Sequence, residues 1–150
     1  MTAVTDPDVD LHVAAQREEL RPSPWPVLAA ISAGGVLGAL GRYGLAEALP
    51  HPDGGFAWST FAVNTSGCLL IGVLMVLIAE VWPGRRLLRP FLGVGVLGGY
   101  TTFSTYAVDA QRAVTAGEPG TALLYLAATM VAALAAVWAG ATLTRKALAR

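Results

Sequence analysis

The sequence predicts an all-α membrane protein of four transmembrane helices, the third of them broken at mid-membrane. Three observations predict it. Only 13% of the 150 residues are charged and 55% are hydrophobic, whereas a soluble domain carries about 25% charged residues. The charges gather in short clusters between long apolar runs. Four of those runs reach the roughly 20 residues that a helix needs to cross the hydrocarbon core.

The runs cover residues 27–49, 56–81, 90–114 and 121–144. The connections at 50–55, 82–89 and 115–120 are short and rich in Pro, Gly and Arg, as between antiparallel neighbouring helices. The expected organisation is one membrane channel domain over 27–144. A polar, disordered cytoplasmic tail over 1–26 precedes it, and a basic cytoplasmic tail over 145–150 follows. The N-terminal tail lacks the basic-then-apolar order of a signal peptide. A short helix around 11–20 is open to it, and Trp25 suits an interfacial anchor.

Composition narrows the chemistry. The net charge is zero, which gives no case for a nucleic-acid partner. Cys68 is the single cysteine, so no internal disulfide forms, and in an apolar helix it packs like a small hydrophobe. His12 and His51 lie outside the spans, which leaves no zinc site and no Ser-His-Asp triad. The chain is not expected to be an enzyme.

The basic residues set the orientation. With four spans, both termini and the 82–89 loop share one side. That side holds Arg17, Arg21, Arg85, Arg86, Arg89, Arg145, Lys146 and Arg150, against Arg112 on the other. N- and C-termini are expected in the cytoplasm, with the protein multi-pass in the plasma membrane and fixed in one sense.

The spans carry their own polar groups. In the first, Gly34, Gly35, Gly38 and Gly41 recur at three- and four-residue spacing, which lets helix backbones approach closely. Arg42 has two readings, an anchor snorkelling to the interface or an electropositive mouth that draws in anions. In the second, Asn64 is an amide at membrane depth with Thr60 one turn before it. Interhelical glue and a polar pathway are both open to it. In the fourth, Tyr125 and Thr129 share a face with Ala133.

The third span is the most strained, over 98–106. Gly98 and Gly99 lower helix propensity, and Thr101, Thr102, Ser104 and Thr105 put four hydroxyls into five positions. Ser and Thr can bond back to the preceding turn of an unbroken helix. The expectation is a broken helix, which survives at membrane depth only when buried in protein or lining a cavity. Freed carbonyls then suit a cation and freed N–H groups an anion.

GGVLGALGRY at 34–43, Thr60 with Val63-Asn64-x-x-Gly67, and GGYTTFSTY at 98–106 together resemble the Fluc (CrcB-type) fluoride channels over all four spans. The resemblance implies a fluoride-specific channel of passive efflux, built as an antiparallel dimer in the lipid bilayer. It also implies a structural sodium ion at the dimer centre, held by the Gly98 and Thr101 carbonyls. Asn64, Phe103 and Tyr106 would line the fluoride pathway with Thr60, Ser104, Thr105, Tyr125 and Thr129, and Arg42 would sit at its entrance. The positive edge of the Phe103 ring would hold a small anion weakly, as conduction requires. Two positions depart from the family pattern: Tyr106 stands for a second phenylalanine, and Ala133 for a serine that often continues the track. With the eight-to-one charge bias, these departures point to a heterodimer with an oppositely inserted paralogue.

Two rivals remain. One is a non-conducting subunit that completes a partner's pore. The other is a small multidrug transporter, which needs an acid deep in the first span, where Glu47 is too near the end. An intramembrane hydrolase lacks its histidines and paired aspartates.

Overall fold

The structure, a computed structural model, describes residues 25–149. The regular structure of the described residues is all helix, without a strand. Helices α1 (Trp25–Ala48), α2 (Trp58–Glu80) and α6 (Pro119–Leu148) are each long and apolar enough to cross a membrane. Between α2 and α6 the third apolar run is divided. It forms α3 (Arg89–Leu97), which is π-helical and runs on into α4 (Gly98–Tyr100), then leaves helix at residues 101–103, and resumes as α5 (Ser104–Thr115).

The division is also a change of partner. The segment before the break, α3 and α4, packs on α1, whereas α5 packs on α6, and α2 packs along α6. Backbone contact makes both long interfaces. A Cβ on Gly38 would collide with the Val96 carbonyl, and one on Gly34 with the Phe91 carbonyl. Across the second interface, Gly72 meets the Val137 carbonyl and Gly140 the Leu69 carbonyl in the same way. Hydrophobic surface does not drive association in lipid, so close backbone packing has to. Of the expected glycine face on α1, Gly34 and Gly38 have no room for a Cβ, whereas a Cβ on Gly35 would meet nothing within 4 Å although the Gly35 backbone packs against Gly99.

Short-range signals shape the ends. Gly117 sits at φ +86°; its N–H bonds the Val114 carbonyl at 3.0 Å and the Glu118 N–H bonds the Ala113 carbonyl at 2.9 Å. This is a Schellman stop to α5, and Pro119 then opens α6 where a missing N–H costs nothing. An aromatic cluster joins the start of α2 to α5 and α6: Ala57, Ala110 and Tyr125 are buried, with Phe56, Phe61, Tyr106 and Leu126 against them.

Two expected boundaries shift. Trp25 and Pro26, assigned to the tail, open α1, and Arg145 and Lys146, assigned to the C-terminal tail, continue α6. The expected disorder of the rest of the tail, its helix around 11–20, and Arg17, Arg21 and Arg150 of the charge argument lie outside the described residues.

Candidate functional site

The expected interruption over 98–106 narrows to residues 101–103. Gly98 is helical at φ −65°, ψ −37°, and the chain turns extended only at Thr101, φ −77°, ψ 159°. Glycine's low propensity therefore does not break the helix. Gly99 serves packing instead, since a Cβ there would lie 2.5 Å from the Gly35 carbonyl oxygen.

Asn64 makes the break. Its Oδ1 accepts the Thr102 N–H at 2.9 Å, and its Nδ2 donates to the Thr102 carbonyl at 2.9 Å. One side-chain amide thus pairs with one backbone residue as a neighbouring strand would. The backbone donor and acceptor also fix which way the amide faces. One turn on, a Cβ at Gly67 would collide with the Thr101 Cγ2, so Asn64 and Gly67 share the face that admits the break. On the far side the Thr102 hydroxyl accepts the Thr105 N–H at 3.1 Å, the bond by which a Thr caps a helix start.

Carbonyls are released as a result. The Thr102 N–H, which an unbroken helix would return to the Gly98 carbonyl, goes to Asn64. Among the described residues no backbone amide from beyond the break reaches the Gly98 or Thr101 carbonyl. Thr101 O is approached by the Arg42 Nη1 at 3.5 Å. Both carbonyls are thus orphaned by the backbone, Gly98 O with no donor among the described residues and Thr101 O with only the long Arg42 contact. Such hard oxygen donors three residues apart are of the kind that suits a sodium ion.

Two cavities flank the break. The first, of about 690 Å³, is lined by the expected residues Asn64, Gly98, Thr101, Phe103, Tyr106 and Thr129, and Ala133 also reaches it. None of its lining residues is charged. Phe103 is 79% exposed, and the Thr129 hydroxyl is buried with no partner among the described residues. The Tyr106 hydroxyl donates to the Leu126 carbonyl at 2.8 Å, so it is bound to α6 and its ring remains at the cavity wall.

The second cavity, of about 450 Å³, gathers Arg42, Thr60, Thr105, Thr102, Asp109 and Arg112 among others. Arg42 faces the break rather than lipid alone. Thr60 is engaged: its hydroxyl donates to Asp109 Oδ2 at 2.7 Å, and Arg112 approaches Asp109 Oδ1 at 3.7 Å. Two expected pathway residues line neither of these cavities. Ser104 is exposed on the first turn of α5. Tyr125 is buried in the aromatic cluster, its hydroxyl without a hydrogen-bond partner by distance and angle among the described residues.

The sequence reading missed Asp109. Its signal was an acid within an apolar span, a functional candidate by default. Its partner Thr60 is 49 residues away, a pairing that no local pattern reveals.

A helical membrane-type fold whose uncharged cleft is built on an interrupted helix defines the class. The chain belongs to the family described as CrcB-like protein, Camphor Resistance (CrcB), whose family model it matches over residues 29–141. It is 52% identical over 128 residues to a protein of Streptomyces avermitilis named fluoride-specific ion channel FluC 2, covering 85% of this chain and 81% of that one. It is 54% identical over 123 residues to fluoride-specific ion channel FluC 1 of Streptomyces coelicolor, covering 82% and 80%. A second protein of Streptomyces avermitilis, named fluoride-specific ion channel FluC 3, is 46% identical over 124 residues, covering 83% of this chain and 61% of that longer one.

Proposed function

We propose that this chain is a subunit of a fluoride-specific channel in the plasma membrane that lowers cytoplasmic fluoride by passive efflux. One observation carries the reading beyond the relatives' names. The cleft at the break is uncharged and mostly apolar, with the Asn64 amide, the exposed Phe103 ring and the Thr129 hydroxyl, which has no partner among the described residues, on its wall. Asn64 Nδ2 spends one hydrogen on Thr102 and has a second for an anion. A ring edge and single N–H or O–H donors attract a small anion without the full charge that would trap it. Hydrogen fluoride enters neutral and ionises in a less acidic cytoplasm, and a negative-inside potential drives the anion out. No catalytic step is needed.

Four spans and a dimer follow from the same break. With α3, α4 and α5 counted as one interrupted span, Phe103, Ser104 and Thr105 are exposed at membrane depth. Broken backbone is not tolerated against lipid, so a second subunit covers it. The freed Gly98 and Thr101 carbonyls would hold a structural sodium ion at that junction, where the ion would supply positive charge to otherwise unpaired dipoles. Arg42, beside Thr101, makes the entrance electropositive. The charge bias supports cytoplasmic termini and hence a paralogous partner inserted in the opposite sense. Two relatives numbered 2 and 3 in Streptomyces avermitilis support the coexistence of such chains. The division proposed is a tail over 1–26, a membrane channel domain over 27–144 and a basic tail over 145–150.

Ala133 on the cleft wall favours a second reading, a non-conducting subunit that completes a partner's pore. A small multidrug transporter is disfavoured, because Glu47 is exposed at the end of α1. The test is fluoride efflux from liposomes holding this chain with and without its paralogue. Efflux only with the paralogue supports the heterodimer, full-rate efflux alone overturns it, and no efflux in either case overturns the channel. Phe103→Ile then separates the readings: efflux falls if this chain lines the working path and persists if it only scaffolds.

A further inference from the structure

The break raises a question that its hydroxyls do not answer: what keeps the Gly98 carbonyl from closing the helix? Gly98 is exposed on the wall of the uncharged cleft, and a backbone carbonyl left without a donor at membrane depth is unfavourable. Its ordinary partner, the Thr102 N–H, lies only four residues on. Closing that bond would extend α4 by a further residue and use up one of the two orphaned oxygens. We propose that Asn64 is a positioning residue for the central cation: by holding both backbone groups of Thr102, it keeps the Gly98 carbonyl free to bind sodium. The inference rests on the channel reading for the presence of that sodium.

Three observations carry it. The clamp is bidentate, with both bonds at 2.9 Å, so either group of Thr102 that rejoined the helix would leave half of the Asn64 amide unpaired inside the protein. Thr101 is held extended at ψ 159°, and the Gly67 face gives its side chain the space to be so. The next amide donor, Thr105 N–H, is retained by the Thr102 hydroxyl, so the Thr101 carbonyl is released by the same residue. Thr102 thus works as a latch with two ends, and Asn64 closes it. The same amide lines the uncharged cleft, which links cation site and anion path through one side chain.

The test uses the full chain, purified from membranes with whatever subunit it assembles with. Tm is measured in sodium chloride and in N-methylglucamine chloride at equal ionic strength, and retention of radioactive sodium is measured alongside. Wild type should show a sodium-specific rise in Tm and retain the ion. Asn64→Leu should lose both, because the Thr102 N–H returns to Gly98. Asn64→Leu combined with Thr102→Pro should recover part of both, since proline has no N–H to return to Gly98 but also lacks the hydroxyl that keeps the Thr105 N–H from the Thr101 carbonyl. Thr101 already has the extended backbone that precedes proline. Sodium binding by Asn64→Leu equal to wild type overturns the proposal. So does a double variant that stays as defective as the single, the outcome expected if Asn64→Leu merely misfolds, and so does wild type with no sodium-specific effect. Fluoride efflux from the same wild-type preparation reads the channel separately. Efflux with a failed rescue overturns the latch alone, and sodium rescue without efflux overturns the channel alone.

Discussion

The Thr60 hydroxyl donates a 2.7 Å hydrogen bond to Asp109 Oδ2 in a site where the carboxylate side chain is 3% exposed. A hydrogen bond to a buried charge contributes about 1.5–3 kcal/mol, and Arg112 at 3.7 Å is too distant and too exposed to replace it. Thr60→Val should therefore destabilise the protein by about 1–3 kcal/mol. Asp109→Asn, which keeps an acceptor and removes the charge, should cost less than Thr60→Val. Chemical denaturation in detergent compares the two, and a larger loss for Asp109→Asn would show that the charge, not the hydrogen bond, is what the site needs.

Gly38 lies where the backbones of α1 and α3 meet. A methyl group there would collide with the Val96 carbonyl and lie 2.7 Å from the Tyr100 N. Rigid backbone cannot yield as a side chain can, so Gly38→Ala should destabilise by about 1–3 kcal/mol. Gly44→Ala, where a Cβ meets nothing within 4 Å, should be neutral or gain up to about 1 kcal/mol from helix propensity. Equal effects of the two on Tm would remove close backbone contact as the basis of this interface.

Tyr106→Phe deletes the 2.8 Å bond to the Leu126 carbonyl and leaves the ring. That carbonyl keeps its place in α6, so the loss should be only about 0.5–1.5 kcal/mol of stability. Fluoride efflux should stay within about twofold of wild type, because the hydroxyl is committed to α6. A rate change of tenfold or more, about 1.4 kcal/mol, would return the hydroxyl to the pathway.

Glu80 and Arg145 form an ion pair at 3.5 Å across the ends of α2 and α6, with side chains 45% and 66% exposed. Exposed pairs contribute about 0–1 kcal/mol and are screened by salt. Glu80→Gln should change stability by less than about 1 kcal/mol, and any change should vanish in high salt. A larger, salt-independent loss would mark this pair as part of the helix interface itself.

The legibility of the protein follows the range of its forces. Long apolar runs reveal α1, α2 and α6 because each run satisfies its own backbone, and the helix boundaries come out within a few residues. Part of the cleft's lining was legible: Asn64, Phe103, Tyr106 and Thr129 meet there, whereas Thr60 and Thr105 line the second cavity. Ser104 and Tyr125 were grouped with them by sequence proximity and face spacing, yet one lies on an open turn and the other under the aromatic cluster. Asp109 was passed over because its burial depends on Thr60, on another helix.

The sequence by itself determined that this chain is helical, that it suits a membrane, and that its third apolar run is polar at the middle. Those properties depend on composition and on residues within a turn or two of each other. Only the tertiary structure decided where that run breaks. Local propensity pointed to Gly98 and Gly99, but both remain helical, and the chain opens at Thr101, where Asn64, 38 residues away, takes up both backbone groups of Thr102. A backbone bond lost within a helix can be replaced at membrane depth only by another protein group, and which group arrives is a matter of packing.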